Sequence, residues 1–372
     1  MTQPPPARPG DRLRDIDTPA LLVDLPNFEY NLRTMAALLE GTGARLRAHA
    51  KTHKSPVIAH LQARHGAVGQ CVQKVAEAEV LAWGGVGDIL VSNQVATPGK
   101  CARLAALARI ARIAVCADEP AQVAALDHAA GEAGVRLSVL VELDSGKRCG
   151  VRPGPDAVAL ARLVAGSPNL VFGGLQSYHG SAQHIRVAAE RRTAIAAVAD
   201  DTRRTVEQLR QAGLDCPVVG GGGTGTFPVE AASGVWNEIQ AGSYVFMDAD
   251  YTRNLDEDGQ MRSPFRQSLF VLATVMSTAG EGRAVVDAGH KAVAVDSGLP
   301  LVHGRPGIEY VGASDEHGTL SLPAGEALRW GDKLHLVPGH CDPTVDRYDW
   351  YVGVRDGRVE CLWPVAARGA MG

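Results

Sequence analysis

Residues 46–56 read LRAHAKTHKSP. The first part of this segment is typical of a strand, and Lys51 stands where that strand would end, before a Ser-Pro pair that favours the start of a helix. A lysine amine held at a strand end in a closed site can lose its proton by desolvation and attack a carbonyl carbon, which forms a Schiff base. A surface lysine in a loop would leave the same pattern, so the rest of the chain has to distinguish the two.

Length and composition exclude several classes of function. The 372 residues are enough for two domains, and 45% hydrophobic residues, 21% charged residues and a formal net charge of −4 are typical of a soluble globular protein. No basic face is evident, so we expect no nucleic-acid partner. No apolar stretch has the length of a membrane span, and the Pro-rich residues 1–6 lack the apolar part of a signal peptide. The seven cysteines show no paired spacing, which favours the reducing cytoplasm. The lack of a spanning stretch leads us to expect no membrane partner.

Short β-rich runs alternate with helical runs between about residues 24 and 248. The predicted strands are 46–51, 69–72, 88–92, 113–116, 137–143, 172–177, 217–220 and 242–246. This alternation predicts a parallel sheet, and eight such units suit a closed barrel better than a doubly wound sheet, because no GxGxxG opens the first unit.

The pattern changes after Arg262, where short β-like runs are separated by Gly and Pro. We therefore predict an α/β fold with a (β/α)8 TIM-type barrel at 26–258 and a second, antiparallel β domain at 259–372. Residues 1–25 are expected to form a tail and a strand that joins the β domain.

The C-terminal ends of the strands form the active site in barrels of this type. By this count Lys51 ends the first strand and Tyr178 ends the sixth, while glycine-rich residues 220–226 end the seventh and residues 242–244 lie at the eighth. Backbone N–H groups at the last two positions often bind phosphate, and consecutive glycines let the backbone approach an anion closely. A Schiff-base lysine beside a phosphate site is typical of pyridoxal phosphate (PLP) enzymes.

A second group of candidate ligands lies in PGHCDPT, residues 338–344. In an extended segment His340 and Asp342 would point to the same side and could bind one divalent ion, such as Zn, Mn, Co or Mg. Two protein ligands leave positions for water and substrate, which is a catalytic rather than a structural arrangement. A polar turn of the β domain is the alternative.

These motifs together resemble the D-threonine aldolase and D-serine dehydratase-like family, fold-type III PLP enzymes related to alanine racemase. The resemblance covers nearly the whole chain. It rests on DTP (17–19), LVDL (22–25), RAHAKTHK (47–54), QKV (73–75), RCGV (148–151), YHG (178–180), GGGTG (221–225), QAGSY (240–244), DAG (287–289), SDEHG (314–318) and HCDPT (340–344).

The resemblance implies a PLP-binding barrel, a β domain and a homodimer. Lys51 would carry the cofactor as a Schiff base, Arg148 would meet its phenolic oxygen, and Tyr178 would pack against its ring. The other implied cofactor-binding residues are Gln73, Gly222, Gly223, Thr224, Gly225, Gln240, Gly242, Ser243 and Tyr244. Gln240 stands where racemases place an arginine near the pyridine nitrogen. The loop 144–147 before Arg148 is one residue shorter than the family pattern.

The same resemblance implies the reaction. His340 and Asp342 match the metal pair of the aldolases, whereas the dehydratase branch has a His-x-Cys pair and uses zinc. We therefore expect cleavage of a D-β-hydroxy-α-amino acid to glycine and an aldehyde, with His184 or a metal-held hydroxide as the base. The alternatives are a 3-hydroxy-D-aspartate aldolase, a D-serine or 3-hydroxyaspartate dehydratase, and a PLP carrier without activity. A second substrate carboxylate would need a cation, for which the candidates are Arg148, Arg186, Lys291, Arg305 and Arg347.

Overall fold

The computed structural model describes residues 3–146 and 148–372. The chain begins with strand β1 (Ala20–Asp24) and helix α1 (Leu25–Leu39), and then forms a closed barrel of eight parallel strands. The barrel strands are β2 (Arg45–His49), β3 (Gly69–Val72), β4 (Asp88–Val91), β5 (Arg112–Ala117), β6 (Leu137–Glu142), β7 (Leu170–Gln176), β8 (Val218–Gly221) and β9 (Glu238–Ile239). The eighth strand pairs with the first and closes the barrel, so the predicted fold class is confirmed.

Helices follow the barrel strands in turn. They are α2 (Pro56–Arg64), α3 (Val75–Trp83), α4 (Pro98–Leu107), α5 (Pro120–Ala133), α6 (Pro155–Gly166), α7 (Ala188–Gln211) and α8 (Phe227–Ala232). Four of them begin with proline, whose fixed φ suits the first helical position and which has no N–H to leave unpaired. The apolar faces of α3 to α6 pack against the strands in one buried cluster. The apolar residues of α8 and most of those of α7 instead belong to the larger core that also includes the β domain.

The inside of the barrel is filled by small and branched side chains. Cys71, Leu90, Cys116 and Leu140, each from a different strand, form a buried cluster there. All seven cysteines of the chain are free thiols. Two of them therefore serve as small hydrophobic residues of the barrel core.

The position of the eighth strand was predicted wrongly. The sequence pattern placed it at residues 242–246, but it is only two residues long and ends before Gln240, and residues 243–245 form a 3₁₀ turn. Tyr244, Val245 and Phe246 are all buried, because this turn packs against α1. A short continuous apolar run fits a buried strand and a buried turn equally well, so periodicity could not distinguish them.

The β domain consists of strands β10 (Leu269–Ser277), β11 (Arg283–Val286), β12 (Leu301–Val302), β13 (Glu309–Ala313), β14 (Gly318–Ser321), β15 (Lys333–Val337), β16 (Trp350–Arg355) and β17 (Arg358–Pro364), with helix α9 (Cys341–Val345). Strand β11 pairs with both β14 and β10, so that six of these strands form a closed ring. Strand β1 extends the sheet and lies antiparallel to β10 but parallel to β16. The sheet is thus antiparallel except for this one pair.

One apolar core joins the barrel to the β domain. It includes Phe28 and Met35 of α1, Phe246 after the barrel, and Val271 and Tyr351 of the sheet. In the part of the chain that the structure describes, no helix is both long enough and apolar enough to span a bilayer.

Candidate active site

The C-terminal ends of the barrel strands surround a cavity of about 300 Å³. Nine predicted residues line it, namely Lys51, Gln73, Arg148, Tyr178, Gly223, Thr224, Gln240, Gly242 and Ser243. Residues from most of the strand ends thus meet at one place, as the barrel geometry requires.

Lys51 lies two residues after the end of β2, and its amine forms an ion pair with Asp342 of the β domain. Burial alone would lower the pKa of Lys51, but the adjacent negative charge of Asp342 outweighs it and raises that pKa. Burial likewise acts to raise the pKa of Asp342, and the charge of Lys51 lowers it instead. In this arrangement the ion pair with Asp342 therefore opposes the loss of the Lys51 proton that desolvation favours.

The glycine-rich loop after β8 and the turn after β9 offer free backbone donors to the cavity. Among residues 3–146 and 148–372, nothing accepts a hydrogen bond from the N–H groups of Thr224, Gly242 and Ser243. The backbone approaches closely here, since a Cβ on Gly242 would lie 2.5 Å from Thr52 Oγ1. Three unpaired N–H groups beside a lysine fit the phosphate of PLP.

Other predicted phosphate ligands are already engaged. The Tyr244 N–H donates to Thr224 Oγ1 at 2.9 Å, and the Gly225 N–H donates to Gln183 Oε1 at 3.0 Å. The Tyr244 side chain is buried away from the cavity, where its hydroxyl accepts from Gln62. Gly222 has a φ of +73°, a left-handed conformation that favours glycine, and it does not line the cavity.

Uncharged amides form one wall of the cavity. Gln240 Nε2 donates to Gln176 Oε1 at 2.8 Å, and Gln176 Nε2 donates to Gln240 Oε1 at 2.7 Å. Gln73 Nε2 lies 2.9 Å from His49 Nε2, and burial lowers the pKa of that imidazole well below its usual range. Gln240, which the family resemblance placed at the position of a racemase arginine, is thus a neutral amide that both donates to and accepts from Gln176.

Arg148 lines the cavity with its charge already compensated. Its Nη2 donates to Glu142 Oε1 at 2.8 Å, and Glu142 is buried. The expected shortening of the loop before Arg148 involves Lys147, which lies outside the described residues.

The candidate metal ligands are on the β-domain side of the cavity. His340 precedes α9 and Asp342 lies in its first turn, so the predicted extended geometry is wrong. The two side chains nevertheless converge, with His340 Nε2 at 4.0 Å from Asp342 Oδ2. His340 Nδ1 donates to Asp296 Oδ2 at 2.7 Å, which leaves Nε2 free as a ligand.

This donor set, one imidazole and one carboxylate, fits a divalent cation that also binds water and substrate. No group of three or more His, Cys, Asp or Glu side chains with metal-binding geometry occurs among the residues that the structure describes. A metal ion bound by His340 and Asp342 would therefore need water or substrate to complete its coordination.

His184, the predicted base, lies beside the cavity rather than in its wall. Its Nδ1 is 2.5 Å from Asp250 Oδ2, and the side chain is 50% exposed. Its ring centroid is 5.9 Å from that of Tyr251, which does line the cavity.

Sequence reasoning missed several residues of the site. The missed lining residues are His49, Thr52, Ser92, Gln176 and Tyr251, and Asp250 and Asp296 contact the two histidines. His49 could have been found, because it lies two positions before Lys51 in the predicted strand 46–51, where both side chains would face the same way. The two aspartates are in irregular segments, for which no periodicity applies.

Comparisons with known proteins identify the family. Residues 23–250 match the alanine racemase N-terminal domain, and residues 268–354 match a serine dehydratase domain. The chain is 46% identical to the 3-hydroxy-D-aspartate aldolase of Paracoccus denitrificans (strain Pd 1222), over 98% of this chain and 95% of that one. It is 45% identical to a D-threonine aldolase of Arthrobacter sp., over 98% and 96% of the two chains. The chain belongs to the alanine racemase-like family that contains these aldolases.

Solved structures agree with this family. The crystal structure of D-threonine aldolase from Filomicrobium marinum matches with a TM-score of 0.96 and 49% identity, over 99% of this chain and 100% of that one. The solved structure of D-threo-3-hydroxyaspartate dehydratase from Delftia sp. HT23 is more distant, with a TM-score of 0.85 and 30% identity over 95% of this chain and 98% of that one. The aldolases are carbon–carbon lyases, so the family and enzyme class expected from the motifs are confirmed.

Proposed function

We propose that the protein is a PLP- and divalent-metal-dependent aldolase that cleaves D-β-hydroxy-α-amino acids of the D-threonine type to glycine and an aldehyde. One observation carries the proposal. The amine of Lys51, at the barrel mouth, contacts Asp342, and His340 Nε2 lies 4.0 Å from the same carboxylate oxygen. A covalent catalyst and a metal-ligand pair therefore share one site.

Enzymes with the alanine racemase-like fold use PLP. When bound, PLP supplies an electron sink for the pair released from the Cα–Cβ bond. Lys51 would hold its aldehyde carbon, and the free N–H groups of Thr224, Gly242 and Ser243 would hold its phosphate. The pairing of Arg148 with Glu142 leaves that guanidinium oriented at the cavity wall.

The metal ligands would be His340 and Asp342. When bound, the cation would lower the pKa of the β-hydroxyl and stabilise negative charge on its oxygen. His184 would accept the hydroxyl proton at Nε2, since its Nδ1 is engaged by Asp250. The O–H electron pair then becomes the second bond of the aldehyde, the Cα–Cβ pair remains on Cα, and Cα takes up a proton to give glycine.

Product analysis tests this proposal. The protein, loaded with PLP and Mn²⁺, is expected to convert D-threonine to acetaldehyde and glycine and to leave L-threonine unchanged. Chelation of the metal should abolish cleavage while the absorbance of bound cofactor survives. Formation of 2-oxobutyrate and ammonia would instead identify a dehydratase, and a full rate of cleavage after chelation would contradict the metal requirement.

A 3-hydroxy-D-aspartate aldolase is the second candidate, because the chain is about equally similar to both aldolases. Its substrate carries a second carboxylate, and the candidate cations are occupied. Arg148 pairs with Glu142, Arg186 with Asp250, Lys291 with Glu316 and Arg305 with Glu326, while Arg347 donates to backbone carbonyls. This favours the neutral side chain of D-threonine. The ratio of kcat/KM for the two substrates tests the preference directly.

A dehydratase is less well supported. Solved structures of D-threo-3-hydroxyaspartate dehydratase include variants in which a histidine and a cysteine two positions apart are each replaced by alanine, the cysteine variant in a metal-free form. The corresponding spacing here joins His340 to an aspartate. A PLP carrier without activity is also disfavoured, because the barrel is followed by a complete β domain. We further infer a homodimer, as the family resemblance implies, and a cytoplasmic location, which the unpaired cysteines favour.

A further inference from the structure

Residues 248–251, DADY, connect the barrel to the loop that carries the candidate metal ligands. The Ala249 N–H donates to Pro338 O at 2.9 Å, and the Asp250 N–H donates to Gly339 O at 3.2 Å. Two consecutive backbone hydrogen bonds therefore fix this segment against the residues that immediately precede His340.

The side chain of Asp250 points the other way, toward the predicted base. Its Oδ2 lies 2.5 Å from His184 Nδ1, and its Oδ1 pairs with Arg186 Nη2. Burial acts to raise the pKa of Asp250, but the hydrogen bonds and charges of Arg186 and His184 lower that pKa, which favours the ionised carboxylate. The Asp250 side chain is 8% exposed and that of His184 is 50% exposed.

This contact sets the tautomer of the ring. An ionised carboxylate only accepts hydrogen bonds, so Nδ1 must carry the proton of neutral His184 and Nε2 keeps its lone pair. A base needs that lone pair to accept a proton. Tyr251, whose ring packs near His184, lines the cavity that contains Lys51.

We propose that Asp250 is a positioning residue, which holds His184 in the Nδ1–H tautomer and fixes it relative to the His340 loop. The proposal rests on the proposed function, in which His184 takes the proton of the substrate hydroxyl. That proton passes to Nε2 and leaves to solvent from the half-exposed ring, while the Nδ1–H remains bonded to Asp250 throughout.

A purely structural role for Asp250 is the rival explanation. Arg186 Nη1 donates to Asp250 O at 2.8 Å and to Asn254 Oδ1 at 2.7 Å, so the carboxylate could serve only to anchor Arg186. In that case Arg186→Gln would cost as much activity as Asp250→Asn. The effect of Asp250→Asn would also be the same whether or not His184 is present.

A double-mutant cycle on the PLP- and Mn²⁺-loaded enzyme separates these explanations. We expect Asp250→Asn to lower kcat for D-threonine by at least about 100-fold, because a carboxamide no longer enforces the tautomer. In a His184→Ala background the same change should alter kcat by less than about 2-fold, and Arg186→Gln alone should cost less than about 10-fold. Equal losses from Asp250→Asn in both backgrounds would overturn the proposal.

A second measurement needs no variant and no substrate. In the neutral His184 ring of the wild-type enzyme, the ¹⁵N shifts should show a protonated Nδ1 and an unprotonated Nε2. The opposite tautomer would overturn the positioning role even if Asp250→Asn failed to fold. Absence of D-threonine cleavage in the wild type would instead reject the proposed function, while the tautomer would still report on Asp250.

Discussion

At the scale of single residues, the site depends on a balance between burial and charge. Burial by itself would lower the pKa of Lys51, yet the adjacent charge of Asp342 raises it. The same carboxylate is a candidate metal ligand, so its charge has two possible partners. Residues that change the charge or position of Asp342 and His340 should therefore also change the pKa of the Lys51 amine.

Asp296 should govern metal affinity through His340. Its carboxylate accepts from His340 Nδ1 at 2.7 Å, and hydrogen bonds of this kind orient a ligating imidazole and raise its basicity. Asp296→Ala is expected to weaken Mn²⁺ binding about 10- to 100-fold in calorimetric titrations. Asp296 is half exposed, so the fold should tolerate the change. Glu316→Ala, a similarly exposed carboxylate of the β domain, is the control, and equal Mn²⁺ affinities in both variants would contradict this role.

Gly242 should be required for cofactor binding. A Cβ at this position would lie 2.5 Å from Thr52 Oγ1 and 2.8 Å from His49 O, so Gly242→Ala must displace the turn that offers free N–H groups. We expect PLP affinity, measured by absorbance titration, to fall by roughly 10-fold or more. Gly99→Ala, where a Cβ meets nothing within 4 Å, should bind PLP normally. Unchanged PLP affinity in Gly242→Ala would argue against phosphate binding here.

At the scale of elements, the sequence predicted what periodicity and turn chemistry encode. The proline at the start of α2 and the alternation of strands and helices were enough to predict a closed barrel. The two-residue strand β9 was missed because Tyr244, Val245 and Phe246 are buried in a turn, and burial on all sides removes periodicity. The convergence of Asp296 with His340 depends on long-range folding of two loops, which no local pattern contains.

Helix α8 contains a buried acid with a clear pH signature. Glu230 is 1% exposed, and Thr226 donates to its Oε1, while its Oε2 lacks a hydrogen-bond partner in the described part of the chain. Burial raises the pKa of Glu230 to about 7. The pKa of Glu230 is higher in the folded state than in the unfolded state. Its contribution to the free energy of unfolding is therefore complete below about pH 4.5 and is lost as pH rises through 7.

Glu230→Gln should remove this pH dependence. At pH 8.5 the buried charge of Glu230 lowers the free energy of unfolding of the wild type by up to about 3 kcal/mol, whereas a glutamine stays neutral. We expect the Tm of Glu230→Gln relative to wild type to be a few degrees more favourable at pH 8.5 than at pH 5. Scanning calorimetry at the two pH values measures this difference. The same difference in Tm at both pH values would contradict the raised pKa.

At the scale of the whole molecule, the barrel and the β domain share one core. Strand β1 precedes the barrel in sequence but pairs with β10 and β16 of the sheet. Lys54 of the barrel pairs with Asp346 of the β domain at 2.8 Å, and both Phe28 and Tyr351 belong to the joint apolar cluster. We still propose domain boundaries at residues 25/26 and 258/259, since the barrel and the β domain differ in architecture. Because the two domains share one core, we do not expect either to fold alone.

Thermal unfolding should accordingly be a single cooperative transition. Separation of the two parts would expose the joint core to water, which makes a state with only one part folded unfavourable. Calorimetry and near-ultraviolet circular dichroism are expected to report the same midpoint. Two resolved transitions, or a stable isolated fragment of residues 26–258, would contradict a shared core.

Chemical labelling most directly tests whether Lys51 binds PLP covalently. Protein purified with PLP is reduced with borohydride, digested, and searched by mass spectrometry for the added mass of the reduced cofactor. We expect this mass on Lys51 alone, its loss in Lys51→Ala, and normal labelling in Lys291→Ala, where the exposed amine pairs with Glu316. Unlabelled Lys51 in protein that still cleaves D-threonine would contradict the assignment of the catalytic amine.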